Sequence, residues 1–343
     1  DSSIISAVAA SHFRSLGHQL DTFSVTYTDN QKYFKTSKFQ PTTDEPYIQM
    51  MAEFLGSNHH TFVVDNEQLA LALKAAVDAR DLPGMADVDS SLLLFCEEIK
   101  KHVTVALSGE CADEIFGGYP WYRDEKIRSA YGFPWAQTTA MRQKFLTPHL
   151  RKLIDGEAEV SARYEQALAE TDKSEGLSPK ESRLREMVHL NMYWFMQTLL
   201  TRKDRMSMYH GLEVRVPFCD HRIAEYMYSV PWEMKEYKGM EKGLLRHAVE
   251  GLLPDEIRLR KKSPYPKTHN PQYTSIVSGM LKEITDNSDA PIFDLVDRNA
   301  LTGLLNDEFT QPWYGQLMTG PQTMAYMIQL NYWLEKYRVK ISL

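Results

Sequence analysis

The amino-acid sequence predicts an α/β fold, in which a parallel, doubly wound sheet is followed by a mostly helical region. Over residues 1–120, short runs rich in β-branched and aromatic residues alternate with helical segments. Helices between consecutive strands are typical of βαβ units, which form parallel sheets. Beyond Tyr119 only helical patterns continue. We therefore expect an α/β layer over 1–120 and a helical part of the same unit over 121–343.

The first part begins with an amphipathic helix over residues 2–16, in which Ile4, Val8 and similar residues share one face. Strands are predicted at Phe23–Tyr27, His60–Val64 and Val103–Leu107, and further helices at residues 45–55, 66–80 and 90–101. The third strand leads directly into the turn that begins at Ser108. This part therefore has the helix–strand alternation of an α/β layer.

Helical periodicity dominates the second part. Helices are predicted at residues 142–153, 160–170, 181–208, 222–228, 242–253 and 322–337. Two segments between them are predicted to be irregular, Gly211–Phe218 and Arg260–Pro271. The second contains three prolines in twelve residues, and proline at that density excludes regular helix and sheet.

Composition excludes several classes of protein. The 343 residues carry 39 Lys and Arg against 46 Asp and Glu, a net charge of −7, so we expect no nucleic-acid partner. No run approaches the ~18 apolar residues of a membrane span. The three cysteines, Cys96, Cys111 and Cys219, are too scattered for a disulfide framework or a zinc site. With no signal peptide visible, these features predict a cytoplasmic protein.

The turn after the third strand concentrates groups that can bind a ligand. Ligands of open parallel sheets bind at the carboxyl ends of the strands. The turn supplies a hydroxyl from Ser108, a flexible backbone at Gly109, and carboxylates from Glu110, Asp113 and Glu114. Acidic residues also favour the first turn of a helix without any function. The costly Gly117-Gly118 pair favours the functional interpretation, since carboxylates at i and i+3 suit Mg²⁺ plus a reacting group.

Three other segments carry groups that bind phosphate or carboxylate. Ser2 begins the first helix, where a serine is usually a cap but where backbone N–H groups also bind phosphate. Arg202 shares a helix face with Arg205 and can reach phosphate or carboxylate, although cations at a helix end are as often only solvated. Lys262 lies in the proline-rich loop, and a mobile cationic loop can close over a polyphosphate leaving group.

Three motifs resemble the synthetase domain of glutamine-dependent asparagine synthetases. They are Ser108-Gly-Glu-Cys-Ala-Asp-Glu-Ile-Phe-Gly-Gly-Tyr119, Arg202-x-Asp-Arg-Met-Ser207 and Leu212-Glu-Val-Arg-Val-Pro-Phe-Cys-Asp220. The resemblance runs over residues 1–271, and Met324–Tyr337 is compatible with it. Asp1-Ser2-Ser3 resembles the end of the family's S-G-G-x-D-S pyrophosphate loop. The resemblance implies a PP-loop ATP pyrophosphatase fold, similar to that of adenine-nucleotide hydrolases.

The resemblance also implies a carbon–nitrogen ligase that uses ATP and Mg²⁺. Such an enzyme adenylates the side-chain carboxylate of aspartate, and ammonia delivered from glutamine then displaces AMP to give asparagine. Carried over by position, the Mg²⁺ ligands are Asp1 and Asp113, and the ATP contacts are Ser2, Val25, Ser108, Gly109 and Arg202. The implied catalytic residues are Glu110, which assists proton removal from ammonia, and Lys262, which steadies the α-phosphate and the departing pyrophosphate.

The chain departs from the family pattern at three places. The S-G-G of the loop and the strand before it are absent, and so is the N-terminal glutaminase domain, the expected partner in a longer chain. Asp81–Ser91 lies where the amino-acid substrate is expected but lacks the family's threonines and arginine. The sequence therefore leaves three points open: the identity of the carboxylate acceptor, the roles of Asp87 and Asp89, and the formation of a homodimer.

Three alternatives compete with this interpretation. A related ATP-dependent amidotransferase acting on a different carboxylate, such as a β-lactam synthetase-like enzyme, would carry tyrosine in place of Glu110. NAD synthetase and tRNA-modifying ATP pyrophosphatases lack the helical region that contains Glu213-Val-Arg-Val-Pro-Phe218. A non-catalytic regulatory module would not need Glu110, Asp113 and Lys262 together. We therefore expect the amide-forming enzyme.

Overall fold

The chain has a mixed α/β structure in which helix dominates. A computed structural model describes residues 1–36, 40–171, 175–307 and 318–342. The predicted helical region 121–343 thus includes three stretches outside the described residues: 172–174, 308–317 and 343. None of the described helices combines the length and the apolar character needed to cross a membrane.

The described strands form two parallel pairs. They are β1 (Asp21–Tyr27), β2 (Asn58–Val64), β3 (Val105–Leu107) and β4 (Glu213–Arg215). β1 pairs with β2 in a register that runs from Asp21 opposite Asn58 to Tyr27 opposite Val64. β3 pairs with β4. The first three strands lie where the sequence predicts them, and both pairs are parallel, as βαβ connections require.

The prediction that no strand follows Tyr119 is wrong. Glu213 and Arg215 are exposed while Val214 between them is half-buried, an alternation that fits a short strand rather than a loop. The N–H of Glu213 donates to Thr104 (3.0 Å), and the N–H of Ser108 donates to Arg215 (2.9 Å). The sequence pattern is too short to reveal this strand, whose partner lies about a hundred residues earlier in the chain.

The helices connect and cover these strands. They are α1 (Ser2–Ser15), α2 (Asn30–Tyr33), α3 (Glu45–Leu55), α4 (Asn66–Arg80), α5 (Asp87–Lys100), α6 (Ala112–Phe116), α7 (Glu125–Ser129), α8 (Thr139–Gln143), α9 (Pro148–Leu153), α10 (Gly156–Ala169), α11 (Pro179–Leu190), α12 (Gln197–Met208), α13 (His221–Ser229), α14 (Trp232–Lys235), α15 (Gly243–Ala248), α16 (Asp255–Arg258), α17 (Pro271–Asp286), α18 (Arg298–Leu305) and α19 (Gly320–Lys336). α3 and α4 have the predicted bounds, and the predicted helix 181–208 continues from α11 to α12 through a π-helical turn.

Two predicted helices are wrong in extent. The helix expected over 142–153 is divided between α8 and α9, because Pro148 disfavours helical geometry in the residue before it. The helix expected over 242–253 is only α15, and Gly251 with φ +80° marks its irregular continuation. The loop expected at Arg260–Pro271 is confirmed up to the start of α17.

The largest apolar core joins the two halves of the chain. Val64 of β2 and Leu69 of α4 are buried together with Val277 of α17 and Met327 of α19. Burial of side chains from four elements in one cluster makes these elements a single packed unit. The C-terminal helices thereby hold β1 and β2 in place beside the turn that follows β3.

Candidate active site

Two carboxylates and two lysines form a compact cluster, which we call the Asp1–Asp113 cluster. Lys242 Nζ lies 2.8 and 2.7 Å from the two carboxylate oxygens of Asp1. The same Nζ lies 2.9 Å from Oδ1 of Asp113. Lys262 Nζ lies 2.5 Å from Oδ2 of Asp113. The structure therefore brings Asp1 and Asp113, predicted as ligands of one cation, onto a common ammonium group.

Close backbone packing fixes this cluster. Asp1 is the N-cap of α1, and Asp113 lies in α6 just after the turn that follows β3. A Cβ on Gly109 would lie only 2.3 Å from the backbone nitrogen of Ser2, so the turn packs directly on the start of α1. A Cβ on Gly118 would lie 1.8 Å from Oδ1 of Asp113. Glycine is therefore required on both sides of the cluster.

The lysines determine the charge state of Asp113. Burial alone would raise the pKa of this carboxyl, but the charges of Lys242 and Lys262 outweigh burial and hold its pKa well below the usual range. The neighbouring Glu114 forms no ion pair within the part of the chain that the structure describes, and the charge of Lys262 lowers its pKa only as a minor cause. Burial, with a smaller contribution from the charge of Asp113, raises the pKa of Glu114 to about 7, and its Oε1 accepts a hydrogen bond from Tyr119 (2.5 Å).

Arg246 holds the proline-rich loop against the cluster. Its guanidinium donates to the backbone carbonyls of Arg258 and Arg260, the latter at 2.7 Å, and to the side chain of Glu241 at 3.0 Å. Glu241 also accepts from the backbone N–H of Lys262 at 2.5 Å. Lys262 thus already pairs with Asp113 in the unliganded chain, although we expected it to arrive with the ligands.

A second charged group surrounds Glu110. Lys203 Nζ lies 3.3 Å and Arg202 Nη2 lies 3.8 Å from Oε1 of Glu110. Arg202 is buried (6% exposed), and its Nη1 contacts the sulfur of Met85 at 3.2 Å. Neither Nε of Arg202 nor Oε2 of Glu110 has a hydrogen-bond partner among the described residues. This Glu110 group therefore holds two cations against one carboxylate in a buried setting.

A cavity of about 870 Å³ connects the Asp1–Asp113 cluster with the space between β1 and β3. Of the predicted site residues, it is lined by Asp1, Ser2, Val25, Ser108, Gly109, Asp113 and Lys262. Lys203 and Lys242 line it as well, whereas Glu110 and Arg202 are not among its lining residues and Glu110 contacts it through Lys203. The structure therefore gathers the residues predicted to hold ATP and Mg²⁺, except Arg202, around one cavity.

Sequence reasoning missed Lys203 and Lys242. Lys242 follows Glu241 at the start of a helix, a pattern typical of a solvated helix end. In the structure it has φ +54° and is 7% exposed. Lys203 adjoins Arg202 within the motif Arg202-x-Asp-Arg-Met-Ser207, so its position in that motif could have identified it. No motif in the sequence contains Lys242.

Asp87 and Asp89 are committed to partners inside the protein. Oδ2 of Asp87 accepts a hydrogen bond from Gln322 (2.9 Å), and Oδ2 of Asp89 accepts from the backbone of Met85 (3.0 Å) and pairs with Arg80 (3.3 Å). Both are buried, at 2% and 1% exposure. Burial raises the pKa of Asp87 to about 6, against the opposing hydrogen bond from Gln322. One oxygen of each carboxylate is therefore engaged by the surrounding protein at the start of α5.

The pKa of the Cys111 thiol is raised. The interaction with Cys219 is the largest cause, burial adds to it, and the charges of Glu114 and Glu110 contribute less. The same interaction lowers the pKa of Cys219 to about 7. Cys96 is buried, and its thiol pKa is raised to about 11.

The fit to Mg²⁺ rests on two carboxylates. Among the described residues, no three His, Cys, Asp or Glu side chains are grouped to hold a metal ion. Mg²⁺ is commonly bound by one or two carboxylates together with phosphate oxygens and water. Asp1 and Asp113 already converge on one cation, the ammonium of Lys242. The donor set therefore fits a magnesium ion that arrives with a polyphosphate.

Comparison with known proteins agrees with these features. The fold and the carboxylate-bearing turn define a chain of the asparagine synthase family, whose model, described as "Asparagine synthase", matches residues 1–335. The chain is 51% identical over 346 aligned positions to asparagine synthetase [glutamine-hydrolyzing] 3 of Bacillus subtilis. This alignment covers 100% of the chain and 56% of that protein. It is 31% identical to asparagine synthetase [glutamine-hydrolyzing] 1 of the same organism, over 78% of the chain and 44% of that protein. It is 26% identical to asparagine synthetase [glutamine-hydrolyzing] of Cricetulus griseus, over 77% of the chain and 37% of that protein. The chain thus spans about half the length of the first two of these relatives.

Proposed function

We propose that this chain is the synthetase part of an ATP-dependent ligase that converts aspartate into asparagine, with release of AMP and pyrophosphate. The observation that carries the proposal is the Asp1–Asp113 cluster beside Glu110, on the turn after β3. The relatives named asparagine synthetase support the same reaction. Because those relatives are glutamine-hydrolysing by name and longer than this chain, we propose that a glutaminase domain of the whole protein supplies the ammonia.

The Asp1–Asp113 cluster is proposed to hold the polyphosphate of ATP. Asp1 and Asp113 would bind Mg²⁺, which when bound neutralises charge on the phosphate oxygens. Ser2, Ser108 and Gly109 line the cavity beside these carboxylates, and Val25 of β1 lines it further away, where the adenine would lie. Lys242, displaced from the two carboxylates, would turn its ammonium to the phosphates.

The Glu110 group is proposed to hold the acceptor. Arg202 was expected to contact ATP, but it lies beside Glu110 and Met85 instead of beside the Asp1–Asp113 cluster. A buried guanidinium with an unpaired Nε favours a carboxylate, which can accept from two of its N–H groups at once. We therefore assign Arg202 to the α-carboxylate of aspartate and leave the side-chain carboxylate free to react.

Two steps follow from this arrangement. An oxygen of the side-chain carboxylate attacks the α-phosphorus of ATP and pyrophosphate leaves, while Lys262 lies where negative charge increases. Ammonia then attacks the carbonyl carbon of the aspartyl adenylate, and the C–O bond to AMP breaks. The ammonium nitrogen loses a proton, which Glu110 accepts through its unpaired Oε2. The products are asparagine, AMP, pyrophosphate and that proton.

The finer fold assignment is part of the proposal. Within the described residues β1 pairs only with β2 and β3 only with β4, and residues of both β1 and β3 line the same cavity. Val105 and Leu107 are 40% and 50% exposed there. One strand between β1 and β3 would satisfy both edges and complete a parallel, doubly wound sheet of the PP-loop type. We propose that a segment outside this chain, ahead of the pyrophosphate loop, supplies that strand.

A second acceptor class is favoured by one observation. The segment Asp81–Ser91 contains no arginine, and its carboxylates Asp87 and Asp89 contact Gln322 and Arg80, so it offers no guanidinium to an amino-acid substrate. A related amidotransferase that acts on another carboxylate would show the same Asp1–Asp113 cluster. The acceptor therefore has to be determined by experiment.

The test uses the full-length protein with ATP, Mg²⁺, ammonia and a panel of carboxylic acids that includes aspartate. Aspartate labelled with ¹⁸O in its side-chain carboxylate should transfer one label to AMP, because the C–O bond to AMP breaks in the second step. Glu110→Gln should still exchange pyrophosphate into ATP but form asparagine slowly. Arg205→Ala, on the same helix and with an exposed side chain, is the control. Pyrophosphate release with another acid only would favour the second acceptor class, and none with any acid would refute the ligase.

A further inference from the structure

A small pocket lies in the helical part of the chain, apart from the cavity beside the Asp1–Asp113 cluster. It has a volume of about 120 Å³ and lies between α11 and the segment 228–235. Leu184, Val188 and Val230 give it apolar walls. None of its described lining residues belongs to the lining of the larger cavity. The groups that we assign to ATP and aspartate therefore make no use of it, and what it binds does not depend on the proposed function.

Lys235 is the unusual member of this lining. It is 3% exposed, and it forms no hydrogen bond or ion pair with any residue in the described part of the chain. Burial lowers the pKa of Lys235 to about 8, so the ammonium still carries its charge in most molecules at pH 7. A buried charge without a partner is costly, and an anion in the pocket would remove that cost.

Two other charged side chains line the pocket. Oε1 of Glu181 accepts a hydrogen bond from the backbone N–H of Trp232 (3.0 Å), which holds α14 against α11. The guanidinium of Arg185 lies over the ring of Tyr228, 4.7 Å from its centroid. Together with Lys235, these side chains give the described lining two positive charges and one negative charge. The surplus of one positive charge suits a monoanion, whereas a dianion such as phosphate would also meet the repulsion of Glu181.

The volume and the walls limit the rest of the ligand. An apolar cavity of ~150 Å³ can hold benzene, so a pocket of about 120 Å³ takes about six non-hydrogen atoms. Leu184, Val188 and Val230 can remove a short hydrocarbon chain from water, a stabilisation that an inorganic anion does not gain. We propose that this pocket is a binding site for a short-chain monocarboxylate. Its carboxylate accepts hydrogen bonds from the ammonium of Lys235, and its hydrocarbon end lies against the apolar walls.

The probe is butanoate, which matches the pocket in size, in charge and in its hydrocarbon chain. The full-length protein is titrated with butanoate and, separately, with butanamide, which has the same shape without the charge, while sodium chloride keeps the ionic strength constant. Ligand-observed NMR reports binding, and the melting temperature reports stabilisation of the folded chain. We expect butanoate to bind with a dissociation constant of ~1 mM and, at ~100 times that concentration, to shift the unfolding equilibrium ~10²-fold towards the folded chain. Butanamide should bind at least ~10-fold more weakly, because it leaves the ammonium without a counter-charge.

Three variants locate the binding. Lys235→Met removes the ammonium and keeps a stem of similar length. It should abolish butanoate binding without lowering the melting temperature of the free protein, because it removes a buried charge that has no partner among the described residues. Lys180→Met is the matched control, since Lys180 is exposed on the same helix that carries Glu181. Arg202→Ala should also keep the binding, because the positive surplus at Glu110 is not its source.

The proposal is overturned if butanoate shows no saturable binding up to ~100 mM, if butanamide binds equally well, or if Lys235→Met retains the binding. Loss of binding in Arg202→Ala together with its retention in Lys235→Met would place the ligand at Glu110 and would overturn the proposal as well.

Discussion

Replacing Lys262 by methionine should remove most of the turnover while ATP binding weakens only modestly. Methionine keeps a stem of similar length and removes the ammonium that lies 2.5 Å from Oδ2 of Asp113. In the unliganded protein Asp113 keeps Lys242, so the structural cost should stay below the ~3–5 kcal/mol of a buried pair that loses its whole partner. In the transition state the proposed contact of Lys262 with the α-phosphate would be lost, and Lys242 would already be engaged with the phosphates. Removal of one such preorganised contact costs ~10²–10³ in kcat.

The pH dependence offers a second readout of the same change. Lys242 and Lys262 together hold the pKa of Asp113 below the usual range against the effect of burial. Loss of Lys262 should therefore raise that pKa towards its ordinary value. The carboxylate of Asp113 would then become protonated at a higher pH, and the acidic limb of the pH profile of kcat/KM should shift to higher pH.

The assay compares pyrophosphate release and calorimetric ATP affinity in Lys262→Met, Lys262→Arg and Lys261→Ala. Arginine keeps the charge and should retain part of the turnover. Lys261 adjoins the site in sequence, is exposed and makes no ion pair with a described residue, so it is the matched control. Near-normal turnover in Lys262→Met would show that Lys262 is an ordinary surface charge. An equal loss in Lys261→Ala, which lines the same cavity, would show that the loss comes from the general positive charge of the loop.

Three further predictions follow from the geometry. Arg202→Ala should raise KM for aspartate by ~10²-fold with little change in ATP affinity, because a charged hydrogen bond of ~1.5–3 kcal/mol is lost. The control substrate is 3-aminopropanoate, which lacks the α-carboxylate and should react equally with both proteins. An equal loss with both acids would contradict the assignment of Arg202. Gly118→Ala should push Asp113 out of the cluster and lower kcat/KM, whereas Gly279→Ala, in α17 with nothing within 4 Å, should leave activity unchanged in the same assay. Asp87→Asn should remove one contribution to the pH dependence of stability: burial raises the pKa of Asp87 from 3.8 to about 6, so the unmodified protein loses about 2 kcal/mol of unfolding free energy between pH 4 and 6 as the unfolded chain ionises first. Urea unfolding at both pH values should show a loss that is smaller by this amount in the variant than in the unmodified protein, because other buried carboxyls such as Glu114 still titrate.

The sequence predicted the elements whose signal is local. β1, β2, α3 and α4 have strong periodicity and clear boundaries, such as Gly56 with φ +59° at the end of α3. β4 was missed because its stability comes from β3, and three residues of alternating burial are too weak a pattern. Pro148 could have divided the helix predicted over 142–153, since the residue before a proline avoids helical geometry.

The same distinction applies to the site. Glu110 and Asp113 were found because they occur within one short motif at the end of a strand. Lys242 was missed because its contacts with Asp1 and Asp113 join positions far apart in the chain, and its left-handed backbone has no sequence signature in a lysine. Arg202 was predicted to bind phosphate or carboxylate, and the burial of its guanidinium against Met85 and Glu110, which the sequence does not show, favours our proposal of a carboxylate.

The difference in charge balance between the two groups suggests which reactant each one receives. In the Asp1–Asp113 cluster two carboxylates face two ammonium groups. A bare anion would have to displace a carboxylate there, whereas a polyphosphate that brings its own divalent cation can exchange partners with all four side chains. At Glu110 one carboxylate faces Arg202 and Lys203, and the surplus positive charge suits an acid without a counter-ion. Since Glu110 and Asp113 are three residues apart on one turn, we expect the two reactants to meet over that turn, and a displacement of the turn should then affect binding and chemistry together.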